Sequence, residues 1–198
     1  MIYDVPAIAA LARSCAPEIA TEAVVPLVLT ESGGDALQIN VNRGPRVRAT
    51  SVAGGAAIVR RYLAVGYTVD VGLAQINSVN FARLGVTIEQ VFEPCMNLRL
   101  ASRVLQQGYG MASRYYTGLD AISATYSLYN TGTLTKGLRN GYVGRVWTAA
   151  SNLGSVPVPA PAPMMTVPTT SPARGGRTAD DTSWVVGQVA ADMVEVFK

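Results

Sequence analysis

The sequence predicts a mainly α domain followed by a proline-rich tail, and three observations carry that prediction. Apolar residues recur at three- and four-residue spacing over five stretches of the first 155 residues. Strand signals are confined to two short segments, and six of the eleven prolines crowd between Val156 and Pro172. At 198 residues, 49% hydrophobic and 15% charged, the chain is long enough for one well-buried domain and too short for two ordinary ones.

Taken in order, Val5 to Ala12 is a short apolar run ending at Arg13, with no cationic segment before it, so it does not read as a secretory leader. Glu18 to Ser32 is the first helical stretch. Gly33-Gly34 stops it, and Pro26 inside it removes a backbone donor and is expected to kink or restart it. Leu37 to Val41 and Thr68 to Val71 are the strand candidates, amounting at most to a small hairpin or extended flap. Between them Val52 to Val65 is helical and Gly66 ends it. Ser78 to Leu84 is helix-like, Asn97 to Gly108 is helical up to Gly110, Leu119 to Leu128 leads towards Gly132, and Tyr142 to Ala150 is the last helix of a domain spanning residues 1–155. Residues 156–181 read as a flexible linker. Residues 182–198 carry Trp184, Val185, Val189, Met193, Val194 and Phe197 at mostly helical spacing, which suits a short docking helix or a frayed end. No run approaches the ~20 apolar residues of a membrane span.

Composition narrows the chemistry. The net charge is +3, and apart from Lys136 and Lys198 every basic residue is arginine, which suits a surface that meets anionic polymers. The excess is small and no Lys/Arg run appears, so nucleic acid is not an expected partner. The chain has no histidine. That excludes Ser-His-Asp and Cys-His nucleophilic sites and the common His-ligated metal sites, so no metal or other cofactor is expected and carboxylates, hydroxyls and amides must act. Cys15 and Cys95 share no CxxC spacing and read as one disulfide or two buried thiols.

Three segments hold residues suited to chemistry. Glu31 ends an apolar helix just before Ser32-Gly33-Gly34, so its carboxyl is half-buried beside Leu27 and Val28. Burial disfavours the charged form and raises the pKa, which a general acid near neutral pH requires. A glutamate in that position otherwise caps the helix or pairs with an arginine. Asp70-Val-Gly72-Leu-Ala-Gln75-Ile76-Asn77 presents two amides in a glycine-containing turn, and each amide offers a donor and an acceptor to sugar hydroxyls. Tyr126-Ser-Leu-Tyr129-Asn130-Thr-Gly132 ends a helix in a tyrosine that stacks on a sugar face or fills a core, and an asparagine that binds or caps.

Together the order and spacing of Glu31-Ser32-Gly33-Gly34, Gly72-Leu-Ala-Gln75-Ile76-Asn77, Phe92-Glu-Pro-Cys-Met-Asn-Leu98 and Tyr129-Asn-Thr-Gly132 resemble the catalytic domain of soluble, goose-lysozyme-like lytic transglycosylases over about Val5 to Trp147. Asn40-Val-Asn42, Gly66-Tyr-Thr-Val-Asp-Val71 and Gly141-Tyr-Val143 look closest to the branch that serves type IV secretion systems. The resemblance implies a lysozyme-like fold, peptidoglycan glycan strands as substrate, and a periplasmic location. It implies that Glu31 protonates the glycosidic oxygen and then deprotonates the hydroxymethyl group of muramic acid, leaving an anhydromuramyl end. It places Gly72, Gln75, Ile76 and Asn77 along the glycan groove, Tyr129 and Asn130 opposite Glu31, and Ser32 against the substrate's acetamido group. It supports a Cys15–Cys95 disulfide. The proline-rich linker and the apolar terminal segment add the expectation that the C-terminal tail tethers the domain to secretion-system components.

Ordinary glycoside hydrolases need two carboxylates about the scissile bond, and the sequence offers no second one in an apolar setting like that of Glu31; Asp35 and Asp70 are the near candidates. Intramolecular attack by the substrate's own hydroxyl removes that need. Two other readings stay open: a lysozyme-type hydrolase, perhaps from a phage, and a non-catalytic glycan-binding scaffold in which Glu31 is structural.

Overall fold

The computed structural model describes residues 1–154, and the expected linker (156–181) and docking helix (182–198) lie outside the described residues. The described chain is mainly α with one small sheet, as the periodicity predicts. Helix α1 (Val5–Cys15) and helix α2 (Thr21–Glu31) pair with each other. Strands β1 (Gln38–Val41) and β2 (Arg46–Arg48) form a hairpin, α3 (Val52–Ala64) crosses behind them, and β3 (Val69–Val71) and β4 (Ile76–Asn77) return. Two short helices, α4 (Phe81–Leu84) and α5 (Ile88–Phe92), lead to the long α6 (Pro94–Ala112). Helices α7 (Gly118–Thr131), α8 (Lys136–Arg139) and α9 (Tyr142–Asn152) complete the described chain. No described helix is long and apolar enough to cross a membrane.

The sequence reading left α1 out of its helices. Its start signal is local: Asp4 accepts the Ala7 amide at 3.0 Å, and a proline occupies the first turn, where its missing N–H costs nothing. One face of α1 buries Ile8, Ala12 and Cys15 against α2 and α6.

Helix α2 is the buried centre, with Val24, Val25, Pro26, Leu27 and Val28 inside and α1 and α9 on its flanks. It begins at Thr21 rather than Glu18 and runs unbroken through Pro26. The carbonyl that Pro26 leaves without a helical donor belongs to Glu22, an exposed residue that water reaches, so the helix continues to Glu31. Three bonds pin the elements around it. Tyr126 of α7 donates to the Ala23 carbonyl at 3.0 Å, Trp147 of α9 donates to Ser123 of α7 at 2.9 Å, and Cys15 is bonded to Cys95, which joins α1 to the first turn of α6.

The sheet is antiparallel throughout, in the order β2-β1-β3-β4, with Ile39 opposite Val47 and Val71, and Asp70 opposite both Asn40 and Asn77. It is larger than the hairpin the sequence suggested, because β2 and β4 have three and two residues and carry no periodicity of their own. Its interior face (Ile39, Val41, Val69, Val71, Ile76) is fully buried in the main core.

Candidate active site

Helix α2 ends where the sheet begins, and the gap between them is a cavity of about 550 Å³ with Glu31 in its wall. Helical residues Thr30, Glu31, Asn130, Thr131, Lys136, Tyr142 and Arg145 line one side. Asn40, Arg46 and Asp70 of the sheet, with Asn42 and Arg43 from the β1–β2 loop and Gln75 from the β3–β4 turn, line the other.

Glu31 is half-buried, and desolvation of its carboxyl is the largest influence on it, raising the pKa to about 8. The Tyr142 hydroxyl donates to Oε1 and favours the carboxylate, the charge of Asp70 opposes ionisation, and Arg145 and Arg46 favour it. Desolvation wins, so the carboxyl carries a proton at neutral pH. The Tyr142 phenol is itself held well above its ordinary pKa, by burial first and the neighbouring Glu31 charge second, so it remains a donor. Its position in α9, stacked beneath Arg145 at 5.8 Å from the ring centroid, fixes the hydrogen bond to one carboxyl oxygen. In the sequence Tyr142 stands out only as the start of the last helical stretch and within Gly141-Tyr-Val143, and nothing local marks it as a partner of a residue 111 positions away.

Asp70, one of the two near candidates, is the second carboxyl of the cavity, and its setting is amide-lined rather than apolar. It is buried, and desolvation raises its pKa to about 6 even though Nδ2 of Asn40 donates to Oδ2 at 3.0 Å and Nδ2 of Asn77 donates to Oδ1 at 2.7 Å. Register produces this environment: Asn40 and Asn77 stand opposite Asp70 on the two adjacent strands. Asp35 is elsewhere, bonded to Arg48 at 2.7 Å and to the Met1 ammonium at 3.3 Å.

Of the residues the sequence singled out, Glu31, Gln75 and Asn130 line the cavity together. Gln75 sits at a left-handed φ of 49°, held by bonds from its own Nε2 to the carbonyls of Gly72 (2.9 Å) and Gln38 (3.2 Å). Such backbone strain in a non-glycine residue persists where the surroundings over-determine it. Asn130 accepts from Asn140 at 3.0 Å.

The others stand behind the cavity wall and hold it. Ser32 donates to the Leu73 carbonyl at 2.6 Å and accepts from Gly34, tying the end of α2 to the β3–β4 turn. Tyr129 donates to the Ala74 carbonyl of the same turn at 2.7 Å, and the charges of Glu31 and Asp70 reinforce burial in raising its pKa. Asn77 is fully buried against Asp70, and Ile76 lies in the core. Gly72 has φ of 82°, and a Cβ there would stand 2.4 Å from Nδ2 of Asn97, so only glycine fits.

Asn97, inside the Phe92-to-Leu98 segment, is the keystone of that turn. Its Nδ2 donates to the carbonyls of Val71 (2.9 Å) and Val91 (2.7 Å), and its Oδ1 accepts the Ala74 amide at 2.7 Å. No cluster of side chains suited to a metal ion occurs among the described residues.

A mainly α, lysozyme-like domain with a protonated glutamate facing a polar groove is the class defined by this geometry. The family model described as the transglycosylase SLT domain matches residues 9–149, and the chain belongs to that family. It is 35% identical over 144 residues to protein virB1 of Rhizobium radiobacter, an alignment covering 72% of this chain and 60% of that one. The type IV secretion system protein virB1 of Brucella abortus is 33% identical over 132 residues, covering 65% of this chain and 56% of the relative. The chain therefore spans roughly three fifths of the length of the curated relatives it matches. No solved structure matches it.

Proposed function

We propose that this domain cleaves peptidoglycan glycan strands between N-acetylmuramic acid and N-acetylglucosamine by the lytic transglycosylase reaction, with Glu31 as acid and then base. The observation that carries the reading is the Glu31 carboxyl: desolvated, protonated to about pH 8, and open to a polar groove. A proton held at neutral pH is what departure of the glycosidic oxygen requires.

In the first half of the reaction Glu31 gives its proton to the glycosidic oxygen, the bond from that oxygen to C1 of the muramyl sugar breaks, and positive charge develops at C1. Glu31 is now a carboxylate, and the Tyr142 hydroxyl stabilises it through Oε1. In the second half the carboxylate takes the proton from the C6 hydroxyl of the same sugar as that oxygen bonds to C1. The proton returns to Glu31, no water is consumed, and the product is a 1,6-anhydromuramyl end. The attacking hydroxyl is already tethered, so its positioning entropy is largely absent from the barrier. Gln75 and Asn130 on opposite walls offer amides to the sugar hydroxyls and acetamido groups.

A second reading has a specific observation in its favour. Asp70 shares the cavity and is mostly ionised at pH 7, as the base of a hydrolase would be. Mass spectrometry of fragments released from purified peptidoglycan separates the two. Anhydromuramyl ends that disappear in Glu31→Gln support the transglycosylase, reducing ends identify a hydrolase, and equal release by wild type and Glu31→Gln removes Glu31 from the chemistry.

The kinship with virB1 proteins supports a periplasmic role in which local opening of the wall makes room for a type IV secretion apparatus. The segment beyond residue 155 is then a tether to secretion components. Deleting residues 156–198 is expected to leave cleavage intact and reduce secretion; unchanged secretion would remove the tether from the account.

A further inference from the structure

Four cations stand around the Glu31 cavity: Arg43 and Arg46 from the β1–β2 hairpin, Lys136 from α8 and Arg145 from α9. The two carboxyls of the cavity lie deeper, and every other lining residue is neutral. The three arginines are exposed and Lys136 is half-buried, so long side chains carry positive charge at the mouth. Among the described residues, Arg46 and Lys136 make no ion pair.

The sugars of an intact peptidoglycan strand have no charge to meet this rim. N-acetylglucosamine is neutral, and the lactyl carboxyl of each muramic acid is an amide when a peptide is attached. The peptide stems do carry charge, because their free carboxylates project outward from the strand, towards the mouth of a groove whose floor holds the glycosidic bond. Arginine matches a carboxylate with two parallel donors.

We propose that this cationic rim binds the carboxylates of the peptide stems, so that the cavity selects glycan strands carrying stems over strands stripped of them. This deepens the reading given above and rests on it. Because the arginines are exposed and Lys136 only half-buried, each contact is weak and screened by salt.

The test is equilibrium binding to the full chain carrying Glu31→Gln, which holds strands without cutting them. Three probes are compared: soluble glycan oligomers with stems, the same oligomers stripped by an amidase so that each muramic acid bears a free lactyl carboxylate, and neutral N-acetylglucosamine oligomers. At low ionic strength stem-bearing oligomers are expected to bind about fivefold more tightly than stripped ones. Adding Arg46→Gln with Lys136→Gln brings the two together, whereas Lys136→Arg keeps the preference. Equal affinity for the two strands, a preference that survives the double substitution, or tighter binding of stripped strands through their lactyl carboxylates would each overturn the proposal. A stem preference in a protein whose wild type releases no product supports the rim and sinks the enzymatic reading alone.

Discussion

The helical wall of the cavity and its sheet wall hold ionisable groups by different means. On the helical side Glu31 sits at the end of a helix whose buried residues Val24 to Val28 are all apolar, and Tyr142 donates to its carboxyl. On the sheet side Asp70 is also buried, yet it is enclosed by amides presented in register from both neighbouring strands. Both carboxyls are desolvated; Glu31, which also feels the Asp70 charge, is raised from 4.5 to about 8, and Asp70, held by two amide donors, from 3.8 to about 6. Between those two values the cavity holds one proton and one negative charge. An apolar setting thus makes the acid, and an amide-lined setting keeps its neighbour ionised.

The largest expected break in this contrast is on the sheet side. Asn97→Leu leaves the carbonyls of Val71 and Val91 and the Ala74 amide without partners in a fully buried place, and is expected to cost about 4 kcal/mol in urea unfolding. The β3–β4 turn carries Gln75, so activity falls with it. Loss below about 1 kcal/mol would show that the turn stands without Asn97.

Removing the Cys15–Cys95 bond, which closes a loop of 80 residues on the helical side, is expected to lower stability by about 3 kcal/mol. The bond lies away from the cavity, so the folded fraction keeps its specific activity. A change in the pH profile of the Cys15→Ser/Cys95→Ser variant would mean that the α1–α6 link reaches the site.

Two further substitutions separate the walls by sign. Tyr142→Phe removes a donor to the Glu31 carboxylate, so the pKa of Glu31 rises, the alkaline limb of the activity profile moves above pH 8, and the rate at its plateau drops about tenfold. Asp70→Asn removes a negative neighbour, so the pKa of Glu31 falls and the same limb moves below pH 8, with a smaller effect on rate for a transglycosylase. Loss of activity in Asp70→Asn as deep as in Glu31→Gln would favour the hydrolase instead. Shifts in the same direction for both variants would contradict the electrostatic account.

The helical wall was largely legible in the sequence and the sheet wall was not. Helices α3, α6, α7 and α9 announce themselves because each buries one face at a period the chain itself displays. Glu31 was visible for the same reason, lying between an apolar run and a double glycine. Strands β2 and β4 were invisible because two or three residues have no period, and their existence depends on β1 and β3 beside them. The setting of Asp70 was equally hidden: its amides come from residues 30 and 7 positions away and meet it only once the sheet has formed. The sequence expects Ser32, Tyr129 and Asn77 to meet the substrate, whereas all three brace the cavity wall from behind, a difference set by packing that no local pattern displays. Pro26, expected to disturb α2, is accommodated because the carbonyl it orphans is on the exposed first turn.

The most direct test of the central claim is a carbon-13 NMR titration of the Glu31 side-chain carboxyl in the full chain, assigned by its absence in Glu31→Gln. The account predicts a midpoint near pH 8, so that the group is protonated at neutral pH and able to act as an acid. A midpoint near 4.5, the ordinary value for a glutamate, would mean that Glu31 is an ionised carboxylate in the free protein and would contradict its role as the acid.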